Sequence, residues 1–294
     1  MTTESSQIRI KISNVFGGSN LPITAVTVAL PANNTSGIHQ IQASTLQKVT
    51  FSGKDSISIP NGALAVSDPL NFPIKAQQVI TVTAYLATGQ ATNSITSHPG
   101  SRTTSWWQFG NAVNAAQLTV TDVTTQSAAH WYFLSSVEAW VPKSTGSLLI
   151  VGDSITDGRG SDTNKNNRWP DLLLARLQKN AATKHISVGN LAAGGNRILA
   201  DGLGPNAFGR IDRDVLAHSG IKQKINNFIR NSGTFDAIAD FDMFLADPTI
   251  PSQLAPQYDS GDYLHPGVVG YQHVADEFPV EIFGEFGDGV SGFV

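Results

Sequence analysis

The feature that most constrains this chain is a short apolar run that ends in Gly-Asp-Ser and leads into a helix. Ser147-Leu148-Leu149-Ile150-Val151 has the composition of a buried, parallel strand. Gly152-Asp153-Ser154-Ile155-Thr156-Asp157-Gly158 follows it, and Trp169-Pro170-Asp171 then opens a helix with an apolar stripe through Leu177. A serine between a strand's carboxyl end and a helix stands at the rim of an open α/β sheet, where ligands bind. Backbone N–H groups there are available to negative charge. Gly-Asp-Ser is also a common loop tripeptide, so the rest of the chain has to decide.

Upstream of that run, residues 1–142 read as all-β. Ile8, Ile10 and Ile12 alternate with Arg9 and Lys11, and Ile80, Val82, Ala84 and Leu86 with Thr81, Thr83 and Tyr85. Turn-formers such as Gly17-Gly18-Ser19-Asn20 separate the runs, a spacing that predicts a sandwich or jelly roll. Trp106, Trp107, Trp131 and Trp140 fall in this half and are expected in its core, although exposed aromatics can also stack on sugars. Lys143-Ser144-Thr145-Gly146 reads as a linker.

From Ser147 to the end the pattern alternates strand and helix. His185–Asn190 predicts a second strand, followed by the small-residue turn Leu191-Ala192-Ala193-Gly194-Gly195-Asn196-Arg197. Arg210–Leu216 is expected to be helical. Ile221, Ile225, Phe228 and Ile229 form the stripe of an amphipathic helix, Phe235–Phe241 predicts a third strand, and Gly267–Glu277 a last helix. The expected fold class is thus an α/β domain over residues 147–294, preceded by an all-β domain over residues 1–142.

Composition removes several functions. A net charge of -4 offers no basic patch for nucleic acid. No apolar run approaches the roughly 18 residues of a membrane span. There is no cysteine, so neither thiolate chemistry nor Cys-ligated zinc is open to the chain. Met1–Gln7 shows no signal-peptide pattern, and the compartment stays open.

A second chemical signal is Asp262-Tyr263-Leu264-His265-Pro266. An Asp three residues before a His can fix the imidazole tautomer and leave the far nitrogen to take a serine proton. Capping of the following helix by Asp262 explains the pair equally well. Metal binding is the poorer reading, because no second His lies at ligand spacing.

Together, Gly-Asp-Ser-Ile-Thr-Asp-Gly, Gly-Gly-Asn-Arg and Asp-Tyr-Leu-His-Pro resemble the SGNH (GDSL-type) hydrolases over residues 147 to about 280. The resemblance implies a flavodoxin-like three-layer α/β/α fold and a carboxylic-ester hydrolase acting on a small-molecule, carbohydrate or lipid ester. It makes Ser154 the nucleophile, His265 the general base and Asp262 its orienting acid, with no metal and no organic cofactor. Ser154 and Gly195 would supply oxyanion N–H groups, with Gly194 the alternative if the turn is shifted. Asp153 reads as a turn stabiliser. The family's third block, Gly-x-Asn-Asp, is absent: after Gly220 the chain runs directly into Ile221-Lys222-Gln223-Lys224. The sheet is therefore expected to be reduced, with Phe235–Phe241 beside the nucleophile strand and a homodimer as one way to cover the edge. The loss leaves two rivals to hydrolysis, a binding protein that has lost its chemistry and an acyltransferase using the same three residues.

Overall fold

The computed structural model describes residues 1–142, 144–216, 239–250, 253–284 and 292–293. The chain divides into two compact units, Thr3–Trp140 with Met1, and Val141–Val294 with Thr2.

The first unit is built from β1 (Ile8–Ser13), β2 (Leu21–Ile23), β3 (Ala25–Ala29), β4 (Gln47–Val49), β5 (Ile57–Ile59) and β6 (Leu64–Val66). It continues with β7 (Thr81–Tyr85), β8 (Ser97–His98), β9 (Ser105–Trp107), β10 (Gln126–Ala128), β11 (Trp131–Tyr132) and β12 (Leu134–Val141). β1 pairs with β12 and β6, and β3 with β4 and β7; the other pairs are β2–β5, β8–β11 and β9–β10. All of these are antiparallel, so this half is β-rich, in small sheets. The isoleucines of β1 are buried as their alternation predicts. Lys11, on the other face, is buried as well, because Glu138 of β12 meets it at 3.1 Å.

The tryptophans of this half do not form its core. Trp107, Trp131 and Trp140 are exposed and Trp106 is half-buried, its indole donating to the Gly37 carbonyl at 2.8 Å. Strand alternation is the reason. Ala139 and Val141 take the buried face of β12, which turns Trp140 outward.

The second unit contains β13 (Gly146–Ile150), α1 (Ser154–Asp157), α2 (Trp169–Leu177), β14 (Ile186–Asn190), α3 (Ala207–Ile211), α4 (Phe241–Leu245) and α5 (Val268–Glu277). Asp212–Leu216 continues α3 as a π turn. β13 and β14 run parallel in the register Gly146↔Ile186 to Ile150↔Asn190. Among the described residues β14 is the only strand paired with β13, and every residue of β13 is half-buried rather than buried. The core lies between β14, α2 and α5. Leu173 and Leu177 are fully buried, each contributing about 1.5–3 kcal/mol of transfer free energy. They pack with Ile186, Val188, Tyr271, Val274 and Phe278. Arg176 donates to the carbonyls of Ala275 at 2.8 Å and Phe278 at 2.7 Å, satisfying the open end of α5.

The predicted stripe Ile221–Ile229 and the first part of the predicted third strand, residues 235–238, lie outside the described residues. The described end of that strand is not extended. Asp240 caps α4 by accepting from the Met243 N–H at 3.2 Å, and Phe241 opens the helix. Phe241 then meets the Trp169 ring edge-on at 4.6 Å. Trp169→Ala should therefore cost about 3–5 kcal/mol in urea denaturation. Trp131→Ala, on the exposed side of a short strand, should cost about 1 kcal/mol or less.

Candidate active site

Parallel pairing brings two turns to one edge. The ladder continues past the strands, with the Leu191 N–H donating to the Ile150 carbonyl at 2.8 Å and the Ala193 N–H to the Gly152 carbonyl at 3.0 Å. The turn after β13 carries Ser154, and the turn after β14 carries Gly194 and Gly195.

Ser154 is the first residue of α1. Asp153 caps that helix by accepting from the Ile155 N–H at 3.0 Å, the turn-stabilising part read from the sequence. Gly152 is required by close approach, since a Cβ there would lie 2.8 Å from the Thr156 side chain. Gly158 ends α1 at φ +102°, which only glycine adopts without strain. Asn190 ties this short helix to the second turn: its amide donates to the Thr156 carbonyl at 2.7 Å and accepts from the Ala192 N–H at 3.1 Å.

The third piece is the loop before α5. The Ser260 N–H donates to the His265 carbonyl at 2.9 Å, and Asp259 accepts from the N–H groups of Gly261 and Tyr263. Asp262 Oδ1 accepts from the N–H groups of His265 at 2.8 Å and Leu264 at 3.1 Å. Its Oδ2 faces His265 Nδ1 at 2.7 Å. Gly267 is the cap residue of α5, so the helix-capping alternative for Asp262 is excluded. The His265 ring is 6% exposed, and its Nε2 lies 2.7 Å from Ser154 Oγ. Ser154, His265 and Asp262 thus form one continuous hydrogen-bonded line, assembled from positions 111 residues apart.

The Asp262 carboxyl is held at about 2 by the backbone N–H and ring of His265, with the Leu264 N–H adding to them against partial desolvation. Arg159 Nε stands 3.7 Å from the same Oδ2 that faces the imidazole. Both groups are well exposed, so salt screens that contact.

The oxyanion candidates separate. Gly194 donates its N–H to Asp157 Oδ2 at 2.9 Å and is occupied. Gly195, at φ +73°, has no acceptor for its N–H among the described residues, and neither has Ser154. Asp157, buried one turn along from Ser154, is the residue that motif reading missed. The signal was available: an acid three residues after the serine lies on the same helix face and has to meet a donor when buried. Arg210 was missed too. It is buried, donating to the Leu191 carbonyl at 2.6 Å and pairing with Asp214 at 3.1 Å, and so holds the base of the second turn. Burial works against the Asp214 charge, yet the hydrogen bonds from Arg213 and Arg210 outweigh it and lower the carboxyl.

Among the described residues no group of three or more His, Asp or Glu side chains could hold a metal ion, and no helix is long and apolar enough to cross a membrane.

An α/β unit with a serine at the rim of a parallel strand pair and an Asp–His pair aimed at it defines a class of hydrolase-like proteins. Within that class, residues 148–222 match the family model of the GDSL-like lipase/acylhydrolases, so this segment is of the SGNH (GDSL) type. No curated protein matches the chain.

Since folding depresses the Asp262 carboxyl, its stabilising contribution is complete above the ordinary value of 3.8 and is lost as the pH falls through about 2. NMR titration of the Asp262 side-chain carbon should show a midpoint near 2. His265→Ala removes the ring partner and should raise that midpoint.

Proposed function

We propose that the chain is a carboxylic-ester hydrolase working through Ser154, His265 and Asp262. The observation that carries this reading is the 2.7 Å contact between Ser154 Oγ and His265 Nε2, with Asp262 on the other ring nitrogen. The family match at residues 148–222 supports it. In this reading the second unit is a flavodoxin-like SGNH domain with a reduced sheet, spanning residues 147–294. Residues 1–142 are an accessory β-sandwich.

His265 Nε2 takes the Ser154 hydroxyl proton as Oγ attacks the ester carbonyl. Asp262 keeps the proton on Nδ1 and offsets the positive charge that develops on the ring. The N–H groups of Ser154 and Gly195 receive the oxyanion. Collapse of the tetrahedral species expels the alcohol, which leaves with the proton held by His265. Water then attacks the acyl-enzyme, with His265 again as base, and releases the acid. No metal or organic cofactor enters the scheme.

Asp157 has a positioning part. By accepting the Gly194 N–H it fixes the peptide geometry from which the Gly195 N–H projects. A missing third donor costs roughly 10²–10³ in kcat, so a site with two donors depends strongly on how firmly they are held. Asp157→Ala should lower kcat at least tenfold with little change in KM on a small ester, and should speed hydrogen exchange at the Gly194 amide.

The deciding test is labelling with a fluorophosphonate, read by intact mass. A single adduct on the wild type and none on Ser154→Ala is expected. Asp262→Asn should slow ester turnover by about 10⁴. Absence of an adduct on a cooperatively folded protein would reject the hydrolase reading and favour a binding role. Product analysis with an added alcohol separates hydrolysis from acyl transfer.

A further inference from the structure

Beyond Gly195 the chain makes a closed excursion and returns into α3. Its ends are pinned together. The Asn196 amide donates to the Pro205 carbonyl at 2.8 Å, the Ala207 N–H to the Arg197 carbonyl at 2.8 Å, and the Phe208 N–H to the Ile198 carbonyl at 3.1 Å. Asp201 accepts from the backbone N–H of Asn206 at 2.9 Å and from its side chain at 2.8 Å. Arg210, buried beneath, donates to the Asn196 side chain at 3.0 Å. This is a compact Ω-type loop held by its own polar groups.

Its outer face is largely apolar. Asn196 and Asn206 are half-buried in the loop's own hydrogen bonds, and Ile198, Leu199, Leu203 and Phe208 are 69%, 78%, 90% and 74% exposed, beside the exposed Arg197 and Asp201. Single exposed apolar residues are ordinary, but four large ones on one short, internally bonded loop make a patch. The patch is continuous with the candidate site. The Leu203 side chain lies directly on Gly195, where a Cβ would come within 2.8 Å of it. Ile198 also lines a cleft of about 280 Å³ together with Gly152, Asp153, Asn196 and Arg197. Beside His265, Tyr263 and Leu264 add apolar surface of their own.

We propose that the loop over residues 196–208 is the seat of the ester's aliphatic chain, and that the substrates are esters with an extended hydrocarbon chain rather than acetyl esters. The inference rests on the hydrolase reading. An oxyanion held at the Gly195 N–H puts the carbonyl carbon next to Leu203, and the groups attached to that carbon have to pass over the loop. A hydrocarbon chain covers these side chains at a gain of free energy for each methylene removed from water. An acetyl group ends beside Leu203 and leaves the rest of the loop uncovered.

The test compares p-nitrophenyl acetate and octanoate, both below the concentration at which the octanoate aggregates. Wild type should favour octanoate by at least tenfold in kcat/KM. The double variant Leu199→Ser, Phe208→Ser should lose about tenfold on octanoate and little on acetate. Equal losses on both esters, or a wild-type preference for acetate, would overturn the proposal. A rate that rises only once the ester aggregates, without saturable binding of the monomer, would assign the patch to an oil–water interface and overturn it too. Ser154→Ala separates this failure from failure of the hydrolase reading. Calorimetry should show that variant binding octanoate ester, with binding weakened by the two serines, whatever the outcome of fluorophosphonate labelling. No binding would reject the seat even in an enzyme that labels.

Discussion

Everything at the candidate site depends on the parallel pairing of β13 with β14. Parallel strands send their carboxyl ends to one edge, and the chain exploits this by continuing the ladder into both turns, through Leu191 and Ala193. The Ser154 turn and the small-residue turn are therefore fixed to each other by backbone bonds before any side chain acts. Two side chains then lock the arrangement from opposite directions. Asp157 reaches from α1 to the Gly194 N–H, and Asn190 reaches from the end of β14 to the Thr156 carbonyl. A pair of strands in this register needs no wide sheet to present Ser154 and Gly195 together.

The Asp262–His265 turn is built on a different principle. It is held locally, by backbone N–H groups folding onto Asp259 and Asp262, and then anchored to the core through α5. One oxygen of Asp262 is committed to those N–H groups. The other is left to the imidazole, with Arg159 at the longer distance of 3.7 Å. Arg159 belongs to the turn that carries Ser154, since its N–H donates to the Ser154 carbonyl at 2.9 Å, and its own carbonyl accepts from Tyr271 of α5. The three pieces of the site are thus tied by main-chain contacts, and the ring is placed by geometry rather than by a strong net charge.

How far the sequence could be read depended on whether a residue's role is local. Ser154, Asp262 and His265 sit in short motifs whose chemistry is visible in the residue types, and the strand and helix that present Ser154 are set by their own apolar patterns. Asp157 and Arg210 act across the fold: spacing puts Asp157 on the face of Ser154, but only burial reveals which backbone group either one meets. The tryptophans went astray for a related reason. Aromatic character suggested core, but Trp140 lies between Ala139 and Val141, and the period of two had already given the inner face to the smaller residues. Phe241 shows the ambiguity of a short apolar run. Phe241 and Leu245 are separated by one helical turn, and an Asp immediately before them is a cap, so the same residues read as strand by composition and as helix by capping.

The absent third family block changes what the remaining donors must do. In the proposed hydrolase, backbone N–H groups receive the oxyanion, so precision has to come from how the second turn is braced, and that bracing comes from two sides. Asp157 fixes Gly194, and Arg210 fixes the Leu191 carbonyl and Asn196. Gly195 is itself held at a left-handed φ of +73°, which a Cβ would strain. The proposed oxyanion donor is also the residue from which the apolar loop departs, so under the hydrolase reading the bonds that pin the loop's ends, from Asn196 to Pro205 and from Ala207 to Arg197, brace that N–H as well.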